Sequence, residues 1–571
     1  MEHNLKRKLG LLSGLLALAL LAGCGGGTPS GGASKAVPRA QTEAQESEMQ
    51  EPETEEAPAA FRPVVGTTTE SDFHYDEDLQ AYVNSMETEL AGVDAATREA
   101  YPELADALDR LRENSLSLER EAYEEREAAL MEDVNAGKAF YGEMRSLVRR
   151  ADAQAVSIVN AWSEYAGEVH PSYGYATYNF DTETGEEIAL ESLLTDEGKL
   201  ELNSRLGHEL DALYPDLAPG SMIADYLPDD YAFSLEPDGV TFWFNPNTIA
   251  SYAYGLFTVK LHFEWDDDIL NGAYKGEEEA WFAELVDDVP YWFATADGEA
   301  IRTAEFWEIA SPDDPDWLDG FGLEFDAPNG SDRWEERPRV VGDEYSVPEG
   351  RNIVPDDTGH FDARAYYARV PEGDFVVVVL SMENDAQEVV VYRADGTLFD
   401  TLSLTGSDSF SYPELPENWG DIDDWSNYDF YRISLTDPYN MPLNTRVDLF
   451  GTWSAEGAYR LAPSGVELIG ELLYNSGDYK LTLKQDLTVE RCPSDSWLDI
   501  GEEEATLPAG TEVQVVAVTE TRDRAFFRVP ALDDGAEFAF SLSYDGGGEG
   551  WPRTVNGVNE ADIFDGLTYA G

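Results

Sequence analysis

Residues 231–244 read YAFSLEPDGVTFWF. Two apolar, aromatic-rich runs, Tyr231–Leu235 and Val240–Phe244, flank Pro237-Asp238-Gly239. Proline presets a turn dihedral, and aspartate and glycine are common turn residues. The triplet therefore turns the chain between two strands. A third run, Phe257–Phe263, extends the set. Upstream, Glu197–Leu213 places Leu200, Leu206, Leu210 and Leu213 on one helical face, and Pro215 stops it. A helix packed on antiparallel strands defines an α+β fold.

The same contrast extends toward the N-terminus. Tyr173, Tyr175 and Tyr178 precede Phe180 in an aromatic-rich strand, and Asp181-Thr182-Glu183-Thr184-Gly185 is a turn. Val156, Ile158 and Val159 lead to Trp162 and Tyr165 in another strand. Before Met144 the pattern is helical, from Tyr101 to Glu143. Pro102 suits the first turn, and Leu104, Leu108 and Leu111 recur at helical spacing. Its charged part, Glu119 to Arg126, reads as a solvated face. Phe73–Leu90 is the first ordered piece.

Toward the C-terminus the chain is β-rich. Val376–Leu380, Val389–Tyr392 and Leu398–Leu404 are apolar runs, and Ala394-Asp395-Gly396 is a hairpin signal. Trp453, Tyr459 and Leu461 are expected to flank a turn at Glu456-Gly457. No strict repeat period emerges. Leu507-Pro508-Ala509-Gly510-Thr511-Glu512-Val513, followed by Val515, Val516 and Val518, resembles the start of a bacterial SH3-like barrel. The same residues also fit a terminal piece of the preceding β domain.

Several short segments recur in a fixed order. Arg150-Ala151-Asp152, Ser157-Ile158, Gly167-Glu168-Val169-His170-Pro171 and Phe180–Gly185 come first. Phe242-Trp243-Phe244-Asn245-Pro246, Ile249-Ala250, Tyr252-Ala253 and Gly255 follow. Together they resemble the RsiV-like ectodomain family of lysozyme-sensing anti-sigma factors, over roughly residues 72–275. The same domain also occurs beside peptidoglycan deacetylase domains. The resemblance implies recognition outside the membrane. Two departures matter. The family's histidine often follows Gly-Gly-Ala, whereas Glu168 and Val169 precede His170 here. The cytoplasmic sigma-binding segment and membrane span have no counterpart, so anti-sigma activity does not carry over.

The N-terminus says where the protein works. Lys6, Arg7 and Lys8 precede an apolar run from Leu9 to Leu21. That run is shorter than the ~20 residues a membrane span needs. A basic start, a short apolar run and small residues form a secretory signal. Its Leu21-Ala22-Gly23-Cys24 ending resembles the lipobox of bacterial lipoproteins. The resemblance implies cleavage after Gly23 and a diacylglyceryl thioether on Cys24. Gly25 to about Pro63 is Gly-, Ser-, Pro- and Glu-rich and cannot offset chain entropy by burial. The expected organisation is a signal peptide (1–23), an acidic disordered tether (24–71), an RsiV-like α+β domain (72–285), a β-rich domain (286–485) and a small β domain (486–571).

Net charge is −78 over 571 residues, and only Lys480 and Lys484 follow Lys275. Such a surface repels phosphate backbones, which argues against nucleic-acid binding. It also repels anionic lipid, so the acyl group must hold the membrane. Basic partners would be attracted. Of two cysteines, Cys24 is committed to lipid and Cys492 is left without an intrachain partner.

Enzyme signatures are missing: no His-Glu-x-x-His, no Gly-x-Ser-x-Gly and no P-loop. No catalytic residue, metal ligand or cofactor is assigned. His74, His170, His208, His262 and His360 lack zinc spacing. His170 reads as a turn or strand contact. Asp313, Asp314, Asp316 and Asp319, and a second group, Asp421, Asp423, Asp424, Asn427 and Asp429, have oxygen ligands at short spacing but lack the EF-hand pattern. Trp419, Trp425 and Tyr428 offer aromatic faces beside carboxylates. The expected function is a lipid-anchored surface protein that binds a ligand outside the cytoplasm, either a basic lysozyme-like protein or peptidoglycan. An enzyme acting on wall polymers, its accessory, and a structural spacer are the alternatives.

Overall fold

Strand signals dominate the sequence, and strands dominate the computed structural model of the chain. It describes residues 61–76, 81–132, 139–167, 169–214, 217–276, 279–295, 301–310, 318–326, 352–355, 362–381, 387–404, 431–475, 479–492, 504–531, 540–544 and 553–568. The elements below all belong to one compact unit, residues 62–571. The signal, Cys24 and most of the tether lie outside the described residues.

Strands Val65–Asp76 (β1) and Ala81–Val93 (β2) pair antiparallel. β1 thus begins inside the span read as tether. Thr67, Thr68 and Thr69 are β-branched and fit a pleated surface. Helix Pro102–Glu132 (α1) crosses over to Phe140–Ala151 (β3), which pairs parallel with β2. The helix expected to reach Glu143 therefore stops earlier. Phe140, Leu147 and Val148 are buried and are better placed on a strand with neighbours on both sides. Ala155–Tyr165 (β4) and Ser172–Asp181 (β5) complete this run.

α1 covers one face of that sheet. Leu104 and Leu108 pack with Val65, Val148, Val156 and Ile158. Each such side chain contributes about 1.5–3 kcal/mol by leaving water. The charged stretch of α1 is not wholly solvated, as its sequence suggested. Arg126 is buried, donating to Asn84 Oδ1 at 3.2 Å, Ser85 O at 3.2 Å and Glu164 at 3.0 Å. Gly142 makes the room: a Cβ there would sit 2.5 Å from the guanidinium.

The turn at Asp181–Gly185 forms as expected. Gly185 has φ +62°, and a Cβ would lie 2.3 Å from Glu103 O, so the turn docks on the start of α1. Gly185→Ala is expected to cost about 1–3 kcal/mol, through left-handed backbone strain and this clash. Urea unfolding measures it; a change under about 0.5 kcal/mol, the ordinary surface range, would contradict the docking.

Helix Gly198–Leu213 (α2) packs on a three-stranded sheet of Ala232–Glu236 (β6), Gly239–Phe244 (β7) and Phe257–His262 (β8). The hairpin around Pro237-Asp238-Gly239 pairs Phe233 with Phe242 and Leu235 with Val240. Leu202, Leu206 and Leu210 form the buried helical face. Leu200, expected on that face, is 82 % exposed. Leu202 replaces it because positions 202, 206 and 210 keep strict i, i+4 spacing.

The rest is β. Trp281–Glu284 (β9), Asp362–Val370, Gly373–Ser381, Gln387–Arg393 and Leu398–Ser403 form one five-stranded sheet. Between them, Tyr291–Ala294 (β10), Ile301–Ala310 (β11), Leu318–Asp326 (β12) and Asn352–Pro355 (β13) form a four-stranded sheet. Asp362–Val370 is labelled β14. β9 pairs with β14, so a sheet spans the boundary read at 285/286. Between Met441 and Asp565 lies an eleven-stranded sheet. Lys480–Leu483 and Glu512–Thr519 pair within it, across the boundary read at 485/486. Among the described residues this sheet does not close into a barrel. The expected turn at Glu456-Gly457 is absent. Both residues lie inside strand Trp453–Ala462, opposite Asn444 and Leu443. Period-two burial of Trp453, Ala455, Tyr459 and Leu461 prevails, and Gly457 supplies space beside Tyr459 rather than a turn.

Candidate functional site

The face of the N-terminal sheet that α1 leaves uncovered builds the site. Register sets two rows across it. One is Glu87, Glu143, Ser163 and Tyr173; the other is Glu89, Arg145, Ala161 and Tyr175. Opposite stand the β9–β10 turn Val286–Val289, Phe306 and Glu308 of β11, and Ala363–Ala365 of β14. Between them lies a cleft of about 400 Å³, within the usual ligand-site range of ~300–1,000 Å³.

The cleft is rich in charge. Arg364, nearly buried, donates to Glu89 and lies 3.6 Å from Glu284 Oε1. Arg145 stands 3.7 Å from Glu89 and 3.8 Å from both Glu284 and Asp362. None of those approaches is a hydrogen bond. Glu284 is 1 % exposed. One oxygen accepts from Val148 N at 2.9 Å, while Oε1 has no hydrogen-bond partner. Burial pushes its carboxyl upward against the pull of Arg364 and Arg145.

On the far wall, Asp287 Oδ1 accepts from Glu308 N at 2.9 Å, and Glu308 Oε1 accepts from Ala363 N at 3.0 Å. Asp287 opens onto the cleft, yet desolvation by its walls, then Asp288 and Glu308, push its carboxyl up to about 8. Glu308 is also raised, by burial first and then Asp362. Asp288 holds φ +60° at the turn. Across the cleft, Ser163 donates to Glu143 at 3.1 Å. The Tyr173 ring packs edge-on against Tyr252, and His170 stacks on the same Tyr252 at 4.0 Å.

A second ionic group lies beneath the 231–244 hairpin. Glu236 meets Arg149 at 2.7 Å and Lys260 at 2.9 Å, and Lys260 also reaches Asp238 at 2.5 Å. Ser234 and Thr241 donate to Glu236. Both cations lie over the Tyr291 ring, at 4.7 and 4.6 Å. Burial raises Asp238, but Lys260 and His262 outweigh it and hold its carboxyl well below the usual carboxylate range. Arg149, Glu236 and Lys260 are buried and the Asp238 side chain is 15% exposed; they tie β3, the hairpin and β10 together.

The residues singled out in the sequence fall variously. His170 is exposed, with Nδ1 3.1 Å from the carbonyl of its neighbour Pro171. Cys492 is buried beside Leu472, Ala517 and Phe526. His74 meets Glu127 at 2.9 Å. Cys24, His360, Asp313, Asp314, Asp316, the whole second aspartate cluster, Trp419, Trp425 and Tyr428 lie outside the described residues, and Asp319 falls on β12. Among the described residues no group of three or more His, Cys, Asp or Glu is placed to hold a metal ion. No described helix is long and apolar enough to cross a membrane. Tyr173 and Tyr175 were visible as part of an aromatic strand. Glu143, Arg145, Asp287, Asp288 and Glu308 were missed, and only the doublet in Val286-Asp287-Asp288-Val289 offered a signal.

The chain is thus a strand-rich α+β protein with an acidic cleft on its N-terminal sheet. Residues 194–264, comprising α2 and β6–β8, match the family described as "Protein of unknown function (DUF3298)". A crystal structure of a DUF3298 family member from Bacteroides fragilis is similar at 19% identity and TM-score 0.31, covering 37% of this chain and 95% of that one. Another, from Pseudomonas aeruginosa, is similar at 16% identity and TM-score 0.27, covering 36% of this chain and 93% of that one. No curated protein matches the chain.

Proposed function

We propose that this is an RsiV-like surface lipoprotein, held to the outer face of the membrane through Cys24, that captures a ligand in its sheet-face cleft. The ligand is a basic lysozyme-like protein or a wall glycan. The observation that supports it is the cleft itself, where Glu143, Asp287, Asp288 and Glu308 face two arginines whose charge Glu89, Glu284 and Asp362 balance, although Arg145 makes no hydrogen bond to them. The excess negative charge in a walled site favours a ligand bearing positive charge or many hydrogen-bond donors.

The test uses the full mature chain against lysozyme and purified peptidoglycan fragments. At low salt one of the two is expected to bind. For lysozyme, affinity should fall steeply between 20 and 300 mM salt (the Debye length shrinks to under ~10 Å). Failure of both ligands at low salt would remove the proposal.

A further inference from the structure

We infer that the cleft takes a saccharide carrying a free amino group, with Asp287 and Glu308 receiving the ammonium and Arg145 receiving a hydroxyl or ring oxygen. The inference rests on the ligand-binding reading above and adds the ligand's chemistry. It begins with what the cleft leaves unanswered. Arg145 lines the cavity, and among the described residues it makes no hydrogen bond. Behind it Glu284, buried, keeps Oε1 without a hydrogen bond. Facing it are carboxylates, which in their ionised form only accept.

A complementary ligand must therefore accept at one end and donate at the other. Lysine and arginine side chains carry donors alone and leave Arg145 unanswered. A simple anion would answer Arg145 but meet Glu143 and Asp288 as like charges and keep Asp287 protonated, whereas an ammonium draws Asp287 and Glu308 into their ionised, accepting form. A sugar hydroxyl both donates and accepts, and a polyhydroxyl ring displays several at fixed spacing. The crowding of Asp287, Asp288 and Glu308 selects the amino form. A cation between them relieves like-charge repulsion that a neutral hydroxyl leaves in place. Tyr173 gives the apolar face of a ring a surface to pack on.

The source is either a free amino sugar or an amino sugar within a de-N-acetylated glycan chain. Calorimetric titration of the full mature chain separates them. The probes are glucosamine, its β-1,4 tetramer, the fully N-acetylated tetramer and Nα-acetyl-lysine amide. The amino tetramer is expected to bind at least tenfold tighter than the N-acetylated one. Asp287→Asn, whose amide oxygen still accepts from Glu308 N, should erase that preference. Arg145→Gln should weaken both tetramers at least tenfold. Asp288→Asn, tolerated at positive φ, serves as a second variant should Arg145→Gln unfold, and it too should reduce the amino preference. Glucosamine binding as tightly as its tetramer assigns the free sugar; weaker binding assigns the chain. Equal affinity for the two tetramers, an indifferent Asp287→Asn, or lysine amide binding as well as the amino tetramer would overturn the inference. If lysozyme or wall fragments bind while both tetramers fail, capture stands and the amino-sugar inference falls; if nothing binds, both fall.

Discussion

Cys24→Ala is expected to move the protein from the membrane fraction to the culture medium almost completely, with the fold unchanged. The physical argument is one of hydrophobic area. The full chain carries a net charge of −78, and its leader is net basic, so the body is at least as acidic and an anionic lipid surface repels it. No described helix is long and apolar enough to cross the bilayer. The proposed thioether supplies two acyl chains, each contributing about 0.8 kcal/mol per buried CH₂, and two chains suffice for stable anchoring where one is marginal. Fractionation of cells expressing each form measures the outcome, and mass spectrometry of the mature N-terminus reports the acyl group. Wild-type protein in the medium without an acyl group, or Cys24→Ala still on the membrane, would defeat this account. The cleft's ligand binding should survive in the released variant, because Cys24 lies far in sequence from every cleft residue.

How much of this was legible in the chain depends on the range of the interaction. The 231–244 hairpin was legible because its signals are local: a Pro-Asp-Gly turn between two aromatic runs. The Asp181–Gly185 turn was legible for the same reason. Helix α2 was found, yet its inward face was misread at Leu200, where neighbouring leucines at 200 and 202 compete for the same stripe. The charged part of α1 hid Arg126, since nothing local announces that Gly142 on a later strand opens a space for a guanidinium. The cleft was invisible for a similar reason. Its charged residues stand at 143, 145, 287, 288, 308 and 364. Each is ordinary in a chain with 115 acidic residues. The pairing of β9 with β14, the bond from Val148 N of β3 to Glu284 and the bond from Glu308 N to Asp287 bring them together. Lys260 did carry a clue. It is the one lysine inside the apolar run Phe257–Phe263, and a charge there needs a buried partner.

That partner network sets a large expected stability effect. Lys260→Met is expected to destabilise the protein by about 3–5 kcal/mol at pH 7, because it strands buried carboxylates. Lys260 is the ion partner shared by Glu236 and Asp238. Arg149 remains on Glu236, so Asp238 is the group left exposed to the loss. The pH dependence should change sign. In the wild type, Asp238 and Glu236 have folded pKa values below their unfolded ones. Their contribution is therefore complete above the unfolded carboxylate range of about 4 and is lost as pH falls through the folded values. Without Lys260, desolvation is expected to outweigh the remaining pull of His262, 3.7 Å away, and Asp238 becomes easier to protonate folded than unfolded. The variant should then gain stability on going from pH 7 to pH 5, where the wild type is flat or declining. Urea unfolding at the two pH values reads this directly. Pairing Lys260→Met with Asp238→Asn should recover part of the loss at pH 7, since a neutral amide is cheaper to bury than an unpaired carboxylate. A loss under about 1 kcal/mol, or the same loss at both pH values, would mean that the network is wetter and looser than its distances imply.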